Sequence, residues 1–576
     1  MFRFGTFELD PRAFELRQGG QPVRMERRPL ELLILLVECS PNLVPRAEIA
    51  ERLWGRNVFV DIDTSVNTAV RKVRRALGDS TARPEYVVRV PGKGYRFAVP
   101  VERDRATGLT RLAVLPFENL TGDPGREYLV DGFTEEAIAV LGQVDPERLV
   151  VVGRTSVMSY KRTSTALPDI ARDLDAAYLL ESSVRAEGPR VRVTSRLIRA
   201  SDQVQVWSGA FDGEPASVIE FERELCAALA AQIRVRIAPG RIDALERRHT
   251  RDSEAYNLYL QGRYFWNQLT ADTTRKAVEC FVKAAARDPG YALAWSGIAD
   301  AHASSPISGD TPPLVVGPMG MAAAERALAA DAELAAAHTS MGSVHFFLTF
   351  RWLESERHHR RALELDPHYA HGHRMLGVLL SAMLRHDEAL SEIRHARELD
   401  PLYVMHQSLS SQIAFSARQF DLAIQFGRRA VAIDPAFWIA RLHLAQALVE
   451  TGDDTEALES LDVAARLAGN SKILSLRGYI LGRRGRRDEA RAVLRTLEEV
   501  GRERYVPPYA GALVHVALEE HDAALQALER ALSVRDVNLL FLTADPKWDP
   551  LRGDERFAQL LTRCGFDIRE ADGGQA

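Results

Sequence analysis

The chain has 576 residues, of which 46% are hydrophobic and 27% charged, with a formal net charge of −5. These are the proportions of a globular protein, and the length predicts roughly three to five domains. No window approaches the ~18 uninterrupted apolar residues of a membrane span; the most apolar run, 30–37, contains Glu31, and the N-terminus lacks a charged-then-apolar signal pattern, so a cytoplasmic location and no membrane contact are expected. Cys39, Cys226, Cys280 and Cys564 form no Cys-x-x-Cys pair, which points away from zinc and from a disulfide framework. The acidic total hides an asymmetry: residues 1–105 carry a net charge of +5 and the remainder −10, as expected of one DNA-facing end on an acidic body.

Residues 2–9 and 12–24 alternate and carry turn signals such as Gly19-Gly20, which predicts short strands. A helix follows from about Arg27 to Cys39, with Leu32, Leu33, Leu36 and Val37 on its apolar stripe. A second starts near Pro45 and ends at Trp54-Gly55. A third runs from about Thr64 to Leu77, with Asp63 or Thr64 as its cap and Gly78 as its stop. In this third helix Val66, Val70, Val73 and Leu77 recur at three- and four-residue spacing and must face the core. The opposite face then carries Ser65, Thr68, Ala69, Lys72 and Arg75, with Arg71 and Arg74 on the flanks. A narrow apolar stripe backed by a cationic face fits a helix lying in the major groove, and a solvated surface helix has the same pattern. Residues 86–97 are two β-runs joined by Pro-Gly-Lys-Gly, a hairpin with Lys93 at its basic tip.

The segments 27–38, 48–55, 64–79 and 94–97 together resemble the winged-helix domain of the OmpR/PhoB type, in the variant found in ToxR- and CadC-like regulators, over 1–101. The resemblance implies double-stranded DNA as partner. Thr68 and Lys72 would read bases with Ser65 and Ala69 close by, and Arg71, Arg74 and Arg75 would hold phosphates or bases. Where many relatives have a basic wing residue this chain has Pro91, so Lys93 would take its place. The loop 55–62 corresponds to the segment that touches RNA polymerase in activators of this type.

After a polar linker at 99–110, strands are expected at 111–117, 149–153, 177–185, 190–200 and 203–211, and helices at 131–142, 168–175 and 216–237, a small α/β domain. The pieces 112–124, 128–136, 151–161 and 197–212 resemble the TolB-like domain that accompanies winged-helix modules in bacteria, over 110–237. No phosphate loop, metalloprotease helix or nucleophile elbow is found, so no enzyme activity and no cofactor are expected. Asp123, Asp131, Arg154, Thr155 and Ser156 sit at strand ends, where ligands bind in α/β folds but where capping alone also gathers such residues.

Asp-Pro recurs at 366–367, 400–401 and 434–435; Ala362, Ala396, Ala430 and Ala464, and likewise Ala389, Ala423 and Ala457, keep the same interval of 34, with Ala524 a further 67 residues on. A 34-residue period with small residues where two helices cross is the tetratricopeptide pattern, and it predicts an all-α solenoid of about seven or eight units over 250–566 that binds a protein or peptide. The wider spacing between Asp288 and Asp331 predicts a Pro/Gly-rich loop inserted at 304–318. His358, His359, His368, His371 and His373 cluster without diagnostic metal spacing and are expected to pack or face solvent. Residues 545–561 resemble a segment that closes such arrays, and the last ten residues are expected to be disordered. The expected whole is a one-component transcription regulator. The alternative is a tetratricopeptide scaffold whose winged helix reads no operator.

Overall fold

The computed structural model describes residues 2–10, 15–19, 21–23, 25–38, 40, 43–54, 62–80, 84–90, 93–99, 102–103, 110–145, 148–187, 190–213, 250 and 252–566. The chain divides into two compact units, Met1–Leu109 and Thr110–Ala576.

In the first unit β1 (Phe2–Phe4), β2 (Phe7–Asp10), β3 (Glu15–Gln18) and β4 (Gln21–Val23) form an antiparallel sheet. Helices α1 (Arg27–Glu38), α2 (Arg46–Trp54) and α3 (Ile62–Leu77) follow, with β5 (Leu43–Pro45) between the first two. β6 (Val87–Val90) and β7 (Gly94–Phe97) form the hairpin, and β5 joins it in the order β5-β7-β6. Pro45 therefore ends a strand, opposite Gly94, instead of opening α2. α3 begins at Ile62, two residues before the expected start at Thr64. The expected linker contributes β8 (Glu102–Arg103), which pairs with β1 and extends the N-terminal sheet to the order β4-β3-β2-β1-β8. The expected periodicity does its work: Leu32, Leu33 and Leu36 of α1 and Val66, Val70, Val73 and Leu77 of α3 are buried in one core with Phe4, Phe7, Tyr86 and Phe97.

The second unit opens with a mixed sheet in the order β11-β9-β12-β13-β14, made of β9 (Thr110–Val114), β11 (Leu149–Val151), β12 (Tyr178–Glu187), β13 (Arg190–Arg199) and β14 (Gln205–Gly213), with β10 (Glu118–Asn119) added to β12. Arginines and Thr194 on β13 alternate outward, while Val191, Val193, Ser195 and Leu197 face in, the period-2 pattern of a strand with one wet face. Helices α4 (Glu127–Val144), α5 (Arg154–Met158) and α6 (Leu167–Asp173) accompany it. The helix expected at 216–237 lies outside the described residues.

Eight antiparallel helix pairs follow, from Ser253–Trp266 with Ala271–Arg287 to Pro508–Ala517 with His521–Ser533. The periodic alanines Ala362, Ala396, Ala430 and Ala464, and Ala389, Ala423, Ala457 and Ala524, are wholly buried at the crossings. Ala490 fills the 67-residue gap in the second series and is equally buried. The surplus at 304–318 is not a loop. It lengthens both helices of its pair, to Ala292–Gly309 and Pro313–Ala330, with Pro306 and Pro318 inside them and a turn at 310–312. The extension has a partner: the Asp310 carboxylate accepts hydrogen bonds from the Ser471 amide at 3.0 Å and its hydroxyl at 2.8 Å, joining an early repeat to a late one. Residues 537–566 return along earlier repeats. The Trp352 indole donates to the Cys564 carbonyl at 3.0 Å, Thr543 Oγ1 donates to the Ala382 carbonyl at 3.0 Å, and Trp548 is fully buried.

Candidate nucleic-acid interface

The outward face of α3 follows from its buried one. With every third or fourth residue in the core, Thr64, Asn67, Arg71 and Arg75 are exposed, and Ser65, Thr68, Lys72 and Arg74 are half-buried along the flanks. Ala69, expected beside the base readers, is 5% exposed and belongs to the core. It is one turn from Val66 and Val73, and the apolar stripe is wider than the valines alone imply. Arg74 is also committed inward. Its guanidinium donates to the Val87 carbonyl on β6 at 2.7 Å, tying the helix to the hairpin. Lys72 pairs with Glu26 at 2.5 Å, a contact that leaves Glu26 mostly exposed.

Asn67 escaped the sequence reading. Its side-chain oxygen accepts from the Tyr95 hydroxyl at 2.8 Å and from Arg46, whose guanidinium also donates to the Tyr95 hydroxyl at 3.0 Å. This triad locks α3 to α2 and β7. The signal lay in Tyr95 and Arg46 being distant polar residues that only the fold brings together. On the hairpin side, Asp79 accepts the amides of Glu85, Tyr86 and Val87, which fixes the exit from α3. Burial and the nearby carboxylates of Glu85 and Asp79 push the Tyr86 hydroxyl above its ordinary pKa. Lys93 stands exposed at the hairpin tip. Among the described residues Arg71, Arg75 and Lys93 make no ion pair, so a cationic face is held on a braced helix. That face can accept phosphates or base edges. Pro91 and the loop 55–61 lie outside the described residues.

The strand-end residues of the second unit have structural partners. Asp123 caps a short turn through the Gly125 amide at 2.8 Å, buried Asp131 pairs with Lys161 at 2.5 Å, and Arg154 pairs with Glu135 at 3.1 Å. Ser156 belongs to a junction with the repeats: its amide donates to Asp400 at 2.8 Å, its hydroxyl also meets Asp400, and the Gly153 amide donates to the Leu399 carbonyl at 2.8 Å. Desolvation raises the Asp400 pKa, and hydrogen bonds from Ser156 and Thr155 oppose that shift.

Of the clustered histidines, His359 and His371 are held neutral by burial, His359 down to about 3. Burial and the neighbouring His338 and His345 lower His358 to about 4. His373, Glu392 and His395 bring possible ligand atoms within 4.8 Å of one another. Both ring nitrogens of His373 are already engaged, Nδ1 with Glu392 at 2.6 Å and Nε2 with the Pro367 carbonyl at 2.9 Å.

Residues 20–97 match the family described as "Transcriptional regulatory protein, C terminal", and residues 374–437 and 414–480 match tetratricopeptide repeat families. Over 187 residues the chain is 30% identical to a protein of Rhizobium meliloti named putative adenylate cyclase 3, covering 32% of each chain. Over 100 residues it is 33% identical to the cholera toxin homolog transcriptional activator of Vibrio parahaemolyticus, covering 17% of this chain and 34% of that one. The chain thus spans about a third of the length of these curated relatives. Among solved structures, the Klebsiella pneumoniae RstA DNA-binding domain in complex with the RstA box is 27% identical, with 17% of this chain and 94% of that chain covered and a TM-score of 0.16. No helix among the described residues is long and apolar enough to cross a membrane. The chain carries an OmpR/PhoB-type domain at its N-terminus, akin to those of ToxR- and CadC-like regulators, and tetratricopeptide repeats toward its C-terminus.

Proposed function

We propose that this chain is a one-component transcription regulator that binds double-stranded DNA sequence-specifically through α3 and the β6–β7 hairpin, and that its repeats receive a signal or a protein partner. The observation that carries this reading is the braced outer face of α3. Arg71 and Arg75 are exposed without ion pairs among the described residues, Lys72 has only a solvent-exposed partner, and Ser65 and Thr68 flank them. Lys93 on the hairpin extends the cationic surface. Arg74 is assigned to the scaffold and Ala69 to the core. The loop 55–62 is assigned to RNA polymerase on resemblance, and the TolB-like reading of 110–237 rests on its sequence pieces. The N-terminal regulator domain and the repeats both support a non-enzymatic role.

The test is genomic footprinting of the full chain, followed by titration of the best site across a salt series. A reader of duplex DNA loses affinity linearly with the logarithm of salt, in proportion to the phosphates it neutralises. The Arg71→Ala/Lys72→Ala/Arg75→Ala variant is expected to fold normally, to lose the discrete sites and to reduce the salt slope by roughly 2–3. Unchanged affinity and slope in the folded variant would overturn the assignment. Absence of discrete sites for the unaltered chain would favour the scaffold reading.

A further inference from the structure

The repeats line an open-mouthed cavity of about 240 Å³. Its walls come from the first helix of several pairs, including Ala292–Gly309, Ala370–Ala382 and Val404–Ser416, and from the returning segment around 537–547. Trp266, Phe347, Met375, Leu409 and Leu513 make much of the lining apolar. An apolar cavity of about 150 Å³ accepts benzene, so this one has room for a side chain the size of leucine, methionine or phenylalanine together with a small polar head.

The charged groups of the wall sort into two sets. Lys547 pairs with Asp545 at 2.8 Å, and Lys472 lies in the field of Asp310 and Asp536. Asp300 and Arg374 also feel opposite charges, but each keeps a buried polar atom without a hydrogen bond. They are 9% and 8% exposed, both line the cavity, and they form no ion pair with each other or with any other described residue. One carboxylate oxygen of Asp300 and the Nε of Arg374 are buried without a hydrogen-bond partner. A buried charge is expensive and is ordinarily paired; here two opposite ones line one largely apolar cavity without an ion pair. Burial lifts the Asp300 carboxyl to about 6, and the Ser340 hydroxyl with the Arg263 and Arg374 charges pulls against it.

We propose that this cavity binds a free α-amino acid with an apolar side chain, its ammonium on Asp300, its carboxylate on Arg374 and its side chain against Trp266, Phe347 and Met375. Opposite unpaired charges call for a zwitterion, where a lone cation would call for a simple anion. The occupant would touch early repeats and the returning C-terminal segment together. It would also lie beside Trp266, three residues from Arg263, whose guanidinium pairs with Glu135 of α4 at 2.8 Å. The site is therefore placed to report occupancy to the sheet.

Isothermal titration of the full chain with L-phenylalanine, L-leucine and L-methionine tests this directly. At least one is expected to bind with a stoichiometry of one. If L-phenylalanine is the ligand, 3-phenylpropionate and 2-phenylethylamine, which each lack one charged group, should bind about tenfold more weakly or worse; leucine and methionine have matching analogues. Asp300→Asn, which keeps shape and removes charge, should weaken binding about as much, and Arg374→Gln likewise. Because the analogues are titrated against the unaltered chain, the result stands even where a variant fails to fold. No binding of any of the three at millimolar concentration overturns the proposal, as does equal binding of the carboxylate or amine analogue. DNA binding is not read in this assay, so its failure leaves the regulator reading intact.

Discussion

Of the four cations on α3, the fold exposes Arg71 and Arg75 and half-buries Lys72 and Arg74. Arg71 and Arg75 project from the outer face, Lys72 leans on Glu26, and Arg74 turns to the Val87 carbonyl. Arg74→Ala is therefore expected to cost about 1–2 kcal/mol of stability in the first unit through the lost charged hydrogen bond, whereas Arg71→Ala should leave the melting temperature unchanged and lower DNA affinity. Thermal melts of residues 1–109 beside titrations of the full chain separate the two effects. Equal melting temperatures for both variants would remove Arg74 from the scaffold. The helical period made the face legible, because Val66, Val70, Val73 and Leu77 mark the inside and so the outside. It set Lys72 and Arg75 on the outer face with Arg71 and Arg74 on its flanks, and it could not rank the flanks. A long side chain at the edge of a stripe reaches either way, and the choice depends on where β6 runs. Ala69 misled for a related reason: an alanine carries no polarity to show which side of a narrow stripe it joins.

At the scale of elements, periodicity located the repeats and left the lengths of their parts open. The prolines at 306 and 318 suggested a loop, but Asp310 finds Ser471 only if both helices run on toward it, and this long-range contact has no local signature. The turns inside the pairs also recur. Leu384, Arg418, Gly452 and Glu519 all occupy the left-handed region between a first and a second helix, and only one of these four is glycine. Two glycine substitutions should consequently have opposite signs. Gly452 has φ +86° and open space around a would-be Cβ, so Gly452→Ala is expected to destabilise by about 1 kcal/mol through backbone strain alone. Gly142, within α4 and equally open, should gain about 0.5–1 kcal/mol on conversion to alanine. Denaturant unfolding of the full chain with both variants decides it. A stabilising Gly452→Ala would mean that the turn relaxes out of the left-handed region.

Across the second unit, the sheet layer and the repeats meet at Arg263–Glu135 and, at a second place, through one member of a repeating series. Asp288, Asp331, Asp366 and Asp434 each accept the amide two residues on, at 2.9–3.0 Å, closing the turn after a second helix. Asp400 holds the same place in the period, yet its carboxylate reaches Ser156, while Arg111 donates to the neighbouring Glu398 carbonyl at 2.6 Å and the Leu402 amide to Ser156 Oγ at 2.6 Å. Nothing in the 34-residue pattern separates Asp400 from its equivalents, so the junction was invisible in the sequence although both sides of it were noted there. The fit leaves no slack. A Cβ on Gly153 would stand 2.4 Å from the Asp400 Cγ, and Gly153 has φ −61° and ψ 151°, which alanine adopts freely. Gly153→Ala therefore changes the junction without straining its own backbone, and its expected cost is about 2–3 kcal/mol from overpacking against a carboxylate that its hydrogen bonds hold in place. Hydrogen exchange should quicken at 149–156 and 398–402 while the periodic alanine crossings from 423 to 464 keep their protection. Calorimetry should show an earlier transition splitting from the unfolding of the repeats. If the repeats carry a signal toward DNA through the sheet, the same variant should also uncouple amino-acid binding from any change in operator affinity while leaving both binding constants measurable. Exchange and melting behaviour identical to those of the unaltered chain would mean that the sheet and the repeats are held together elsewhere, and that Asp400 is an ordinary turn residue.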